Sequence, residues 1–257
     1  MRKPLIIGNW KMNGNLSENE HLLNTIRSAL ALAGDCEVVV CPPSIYISNV
    51  RQKLLQSKIK YGAQNVNEHI NGAYTGEISA TMLHDLGCSY VLLGHSECRS
   101  LHHESDEQIA NKFSAAVQAK IKPVLCVGET LAQRQGDETF SVIAEQIRVV
   151  VEQVGIQVFE GAVIAYEPVW AIGTGETATP EQAQEVHNII RRQLADLDLN
   201  IASNIQIIYG GSVNSNNARK LFSQPDIDGG LVGGASLNAD AFINICKAYN
   251  LLSQYKY

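Results

Sequence analysis

Ala162-Val-Ile-Ala-Tyr-Glu-Pro-Val-Trp-Ala-Ile-Gly-Thr-Gly-Glu-Thr-Ala-Thr-Pro-Glu-Gln182 holds one whole passage from strand to helix. Ala162–Tyr166 is short and continuously apolar, as a strand buried on both faces must be. Thr179-Pro-Glu-Gln182 opens a helix, because the threonine hydroxyl can cap it. The proline then takes the first helical position, where its missing N–H costs little. A strand followed by a helix that must return to the same sheet is the repeating unit of a parallel sheet.

Working outward, similar apolar runs occur at Leu5–Ile7, Val38–Cys41, Ile59–Ala63, Tyr90–Leu93, Val124–Val127, Ile205–Tyr209 and Gly230–Val232. Helical patterns lie between them. Ser17-Glu-Asn-Glu20 reads as a capping box ahead of Leu22, Leu23, Ile26 and Leu30. Ser105-Asp-Glu-Gln108 repeats the device ahead of Ile109, Phe113 and Val117, and Phe140–Val154 is a further helix closed by Gly155. About eight strand–helix units of roughly 32 residues, joined by right-handed crossovers, predict an α/β chain folded as one closed (β/α)8 barrel, strands inside and helices outside. An open, doubly wound sheet of eight strands is the alternative.

The 257 residues are 45% hydrophobic and 18% charged, with a formal net charge of −6. That composition excludes a disordered chain, and residues 1–257 are expected to form a single domain. The acidic balance argues against nucleic-acid binding. No apolar run approaches the ~18 residues of a membrane span, and the N-terminus lacks the apolar stretch of a signal peptide. The six cysteines form no C-x-x-C pair, so a reducing, cytoplasmic location is expected.

In either architecture the chemistry belongs at the C-terminal ends of the strands. The residues there are Asn9 and Lys11, Gln64 and Asn65, His95 and Glu97, Glu129, Glu167, Gly210–Ser212, and Gly233 with Gly234. Glu167 is either a general base fixed at a strand end or a solvated loop carboxylate. His95 is either an acid or hydrogen-bond donor, or a structural histidine. Lys11 could neutralise an anion with Asn9 orienting it, or be a surface lysine. The two late glycine pairs let backbone amides approach a phosphate, or merely make tight turns. The loop Pro168–Ala178 combines Val169, Trp170 and Ile172 with Gly173 and Gly175, as a closing lid or a loop lying on the barrel. His102-His103 matches no zinc spacing and reads as a solvated helix start.

Taken in order, Gly8-Asn-Trp-Lys-Met-Asn13, Gly62-Ala-Gln-Asn65, Gly72-Ala-Tyr-Thr-Gly-Glu-Ile-Ser79, Gly94-His-Ser-Glu97, Cys126-Val-Gly-Glu129, Ala165–Gly175, Tyr209-Gly-Gly-Ser-Val213 and Leu231-Val-Gly-Gly-Ala235 resemble the triosephosphate isomerase family across the whole chain. The resemblance implies a TIM barrel, no metal or organic cofactor, and interconversion of two small phosphorylated trioses, in glycolysis and gluconeogenesis. It implies Glu167 as base, His95 as the group polarising the carbonyl, Lys11 and Asn9 as stabilisers of the developing charge, and Glu97 in support. Asn9, Lys11, Gly173, Ser212, Gly233 and Gly234 would hold substrate and phosphate. Pro168, Val169, Trp170, Ala171, Ile172, Gly173, Thr174, Gly175, Glu176, Thr177 and Ala178 would form the lid. A homodimer through the Asn65–Ser79 loop, Thr75 near its tip, is implied as well.

Two positions depart from the family pattern. Cys98 stands where an arginine is usual, and that arginine can pair across the dimer with the acidic residue at Glu77. Glu176 stands where the lid hinge often carries lysine. Two other readings stay open beside the isomerase. One is a different sugar-phosphate barrel, such as an epimerase or a biosynthetic ketose isomerase. The other is a phosphate-metabolite binding protein without catalysis, against which intact Asn9, Lys11, His95 and Glu167 argue.

Overall fold

The computed structural model describes residues 2–30, 36–172 and 177–249. Eight parallel strands close on themselves in chain order, β1 pairing with both β2 and β8. They are β1 (Leu5–Asn9), β2 (Glu37–Cys41), β3 (Lys60–Ala63), β4 (Tyr90–Leu93), β5 (Lys122–Val127), β6 (Val163–Tyr166), β7 (Gln206–Tyr209) and β8 (Gly229–Val232). Each is followed by helix, so the closed barrel holds and the open sheet does not.

The apolar character of the strands has a direct cause. Leu5, Ile7, Val39, Cys41, Tyr90, Leu92, Val124, Cys126, Val163, Ala165, Ile208 and Leu231 fill the barrel interior. Their neighbours Ile6, Val38, Val40, Val91, Leu93, Leu125, Ile164 and Ile207 face outward, into the layer shared with the helices. Both faces of these strands are thus covered, and alternation disappears; β3 departs from this by beginning on the exposed Lys60.

Several boundaries shift from the expected ones. β1 runs on through Gly8 to Asn9, which pairs with Cys41; pairing with two neighbours overrides the weak strand preference of these residues. Four strands begin on a polar residue, namely Glu37, Lys60, Lys122 and Gln206. An apolar-run reading starts too late at Glu37 and Lys122 and one residue too early at Lys60 and Gln206.

The first helix is Leu16–Leu30, so Ser17 lies inside it and is not its cap. Asn15 Oδ1 takes that place and accepts from Glu18 N at 2.9 Å. Asparagine directly after the turn at Gly14 (φ 102°) outcompetes the later serine. The Ser105 and Thr179 capping boxes form as expected, and Gly155 closes Thr139–Val154 with φ 81°. His102 and His103 follow the helix Ser96–Leu101 instead of opening one, and both are exposed. Among the described residues no group of three or more potential metal ligands exists, and no helix is long and apolar enough to cross a membrane.

Candidate active site

The strand ends bring Asn9, Lys11, His95, Glu167, Ser212, Gly233 and Gly234 to the wall of one cavity of about 450 Å³. Ile172, Gly210, Gly211, Val213, Asn214, Leu231 and Ala235 complete it. Glu97 lies beside this group. Gly173, Thr174, Gly175 and Glu176 lie outside the described residues, and with them the middle of the expected lid.

Glu167 leaves β6 with its main chain still in the sheet, its N–H donating to Val127 O at 2.7 Å. The side chain is 2% exposed. Oε2 accepts from Ser96 N at 2.8 Å. Oε1 lies 3.1 Å from His95 Nε2 but is not aligned as a hydrogen bond, so it has no such partner. A buried carboxylate oxygen without a donor is poised to take a proton. Gly210 permits this placement, since a Cβ there would lie 2.8 Å from Glu167 Cγ.

His95 is the N-cap of the short helix Ser96–Leu101, and its Nδ1 accepts from Glu97 N at 3.2 Å. An accepting Nδ1 carries no proton, so the neutral ring has its hydrogen on Nε2, the nitrogen facing the cavity.

Lys11 has φ 52°, a left-handed backbone that is uncommon for a residue with a side chain. Three bonds hold it there. Its N–H donates to Asn9 Oδ1 at 3.0 Å, its carbonyl accepts from Gln64 Nε2 at 2.9 Å, and its Nζ meets Glu97 Oε1 at 2.5 Å. Gln64 Nε2 also reaches Cys41 O at 2.9 Å, tying Lys11 to the end of β2. Spacing alone did not assign Gln64 this role.

The root of the lid is anchored. Val169–Ala171 form one tight turn, and Trp170 Nε1 donates to Glu129 Oε1 at 2.9 Å. The same oxygen accepts from Tyr166 OH at 3.1 Å and Arg134 Nη1 at 3.2 Å, and the Arg134 guanidinium lies 4.9 Å from the Trp170 ring centre. The apolar start of this loop therefore lies on the barrel. Strand-end position marks Glu129 only as a polar residue, and the structure makes it the acceptor on which the lid root rests.

Burial pushes the thiols up: Cys98 to about 11, Cys126 and Cys41 well above the ordinary range. They remain protonated at neutral pH and are poor nucleophiles. Cys98 Sγ accepts from Asn65 Nδ2 at 3.7 Å, and Asn65 Nδ2 in turn donates to Glu104 Oε1 at 2.7 Å. Glu77, the residue expected to meet an arginine across a dimer, accepts from Asn67 of its own loop at 2.8 Å.

Sequence reading also passed over Gln146. Its position was detectable, as a long polar residue among Ile143, Ile147 and Val150 on a buried helix face.

Comparison with known proteins gives consistent matches. The family model described as triosephosphate isomerase matches residues 4–249. A protein named triosephosphate isomerase from Dechloromonas aromatica is 53% identical over 250 residues, covering 97% of this chain and 100% of that protein. One of the same name from Thiobacillus denitrificans is 55% identical over 248 residues, 96% of this chain and 99% of its own. Another, from Escherichia coli O1:K1 / APEC, is 52% identical over 254 residues, 99% of this chain and 100% of its own.

Proposed function

The chain belongs to the triosephosphate isomerase family, and on that premise we propose how its own residues carry the reaction. The activity is an intramolecular aldose–ketose isomerisation between dihydroxyacetone phosphate and D-glyceraldehyde 3-phosphate, a step of glycolysis. The same reversible step would serve gluconeogenesis. The whole chain acts as one domain.

Glu167 is the general base. It removes a proton from the carbon beside the carbonyl, and the bonding electrons pass to the carbonyl oxygen, giving an enediolate. His95 carries a proton from the hydroxyl of the first carbon to the oxygen that has gained charge, and returning the abstracted proton to the neighbouring carbon then completes the isomerisation. To reach the carbon, the carboxylate must exchange its bond to Ser96 N for the substrate. His95 donates from Nε2 to the oxygen that gains charge. A neutral imidazole beside a helix N-terminus is the arrangement for which this family is itself the standard illustration. The bond from Glu97 N into Nδ1 supports it here.

Lys11 offsets the charge of the enediolate and phosphate, and its bonds to Gln64 and Glu97 preorganise it, so little reorganisation is left for the reaction. Asn9 adds a polar contact to the reacting oxygens. The amides of Gly173, Ser212, Gly233 and Gly234 hold the phosphate; Gly234 begins the turn Gly234–Leu237, where leading N–H groups lack intrahelical partners. The loop 168–178 closes and excludes water, which protects an intermediate prone to lose phosphate.

A homodimer is the proposed assembly. Met12 is 95% exposed and Ile45 81%, and Tyr74 and Leu101 are exposed too. They sit after β1, β2, β3 and β4, which are consecutive around the barrel, so the apolar surface offered for association lies on that side. The 65–79 loop of a second copy would cover it. The six unpaired cysteines support a cytoplasmic setting.

The single observation that carries the site reading is the buried Glu167 carboxylate, with one oxygen free of donors 3.1 Å from His95 Nε2. A coupled assay of glyceraldehyde 3-phosphate conversion tests it beside Glu167→Ala. Rapid turnover that collapses by several orders of magnitude is expected. An equally active variant would refute the base assignment.

A further inference from the structure

We propose that Gln146 is a positioning residue for the isomerisation, holding in place the main chain on which both the base and the lid root rest. The proposal depends on reading Glu167 as the base.

Gln146 is 8% exposed, on the inward face of the helix Thr139–Val154. It does not line the cavity. An apolar side chain would occupy such a place without the desolvation cost of an amide. Here the amide spends both ends on one residue. Its Oε1 accepts from Gly128 N at 2.9 Å, and its Nε2 donates to Gly128 O at 3.1 Å.

Gly128 bears on the main chain of Glu167 from behind. A Cβ built there would lie 1.8 Å from Glu167 O and 3.3 Å from Glu167 Cα, so the two backbones touch. Bonds cross between the same two segments on either side of that contact. Glu167 N donates to Val127 O at 2.7 Å, and Val169 N to Glu129 O at 3.1 Å. Glu129 then receives Trp170 and Tyr166. Gly128 has no side chain with which to hold itself, and Gln146 supplies the hold from the helix behind. Displacing Gly128 therefore shifts Glu167 and the root of the lid together.

The test compares Gln146→Met, Gln146→Glu and Glu167→Gln with wild type, reading kcat, KM, the deuterium isotope effect at the abstracted hydrogen, and the melting temperature. Gln146→Met should lose about ten- to a hundredfold in kcat, the scale of a roughly 1 Å misplacement. Its KM should stay within about threefold, because Ser212, Gly233 and Gly234 of the phosphate site follow other strands and only Gly173 belongs to the lid, and its isotope effect should rise as proton abstraction becomes limiting. Gln146→Glu keeps an acceptor for Gly128 N and regains a donor when protonated. Its kcat relative to wild type should therefore climb as pH is lowered from about 8 to 6.

A lowered melting temperature with full kcat per folded site would mean that Gln146 only satisfies buried backbone groups, and would overturn the proposal. Should Gln146→Met not fold, Gln146→Glu decides, and a wild-type kcat independent of pH overturns it. Full activity in Glu167→Gln would instead refute the base on which the proposal rests, so the two failures are distinguishable.

Discussion

Replacing Gly128 by alanine is the smallest perturbation that reaches the base without touching it. The added Cβ would meet Glu167 O at 1.8 Å, while ordinary contact begins at 3.4 Å. The ends of β5 and β6 must then separate by roughly 1.6 Å. The Glu167 N–Val127 O bond of 2.7 Å and the Val169 N–Glu129 O bond of 3.1 Å bracket that point and resist the separation. A displacement of ~1 Å at a reacting group costs on the order of a hundredfold in rate, so kcat should fall by at least about that factor, or ~3 kcal/mol of transition-state stabilisation. The phosphate-binding segments after β7 and β8 are not pushed, so KM should change by no more than about threefold. The coupled assay on protein shown by circular dichroism to be folded reads both constants. A folded Gly128→Ala enzyme with kcat within about threefold of wild type would refute the claim that the Gly128–Glu167 backbone contact places the base.

Other consequences follow from the same geometry. His187 is fully buried, and burial lowers its pKa from 6.5 to about 4; the unfolded chain takes up the proton near pH 6.5, so stability is complete above that pH and falls as pH drops toward 4, by about 3 kcal/mol at most. Denaturant titrations at fixed protomer concentration should show wild type losing more stability than His187→Asn over that range, and parallel curves would count against it. Glu97→Gln removes the carboxylate 2.5 Å from Lys11 Nζ and should lower kcat about tenfold; an unchanged kcat would show that Lys11 is placed without it. Cys98→Arg should tighten the dimer in sedimentation at nanomolar to micromolar concentration, since it restores the cation that the family pattern pairs across the dimer with the acidic residue at Glu77. A dissociation constant no lower than wild type's would show that Cys98 does not weaken the contact.

Much of the architecture was legible along the chain because it depends on near neighbours. A strand buried on both faces must be apolar throughout, so Tyr90–Leu93 could be bounded without coordinates. Thr179 and Ser105 cap helices through bonds spanning three residues, which spacing can reveal. Ser17 failed for an equally local reason: Asn15, two positions earlier, was the better cap. The polar starts Glu37 and Lys122 were missed because apolar periodicity is silent at a strand end.

The candidate site divides in the same way. Strand-end position drew attention to Asn9, Lys11, His95, Glu97 and Glu167 as separate candidates, and the ordered motifs tied them to one family. By itself, then, the sequence determined the strand–helix alternation through local periodicity and marked the candidate side chains, whereas closure of the eight strands decided the barrel over the open sheet. Tertiary structure alone decided that Ser96 N grips Glu167 Oε2 across 71 residues, that Gln64 holds the left-handed Lys11, and that Gln146 backs Gly128. The first two join the ends of different strands, β4 to β6 and β3 to β1, and the third joins the end of β5 to the helix packed behind it, so each depends on how strands and helices pack and not on sequence neighbours.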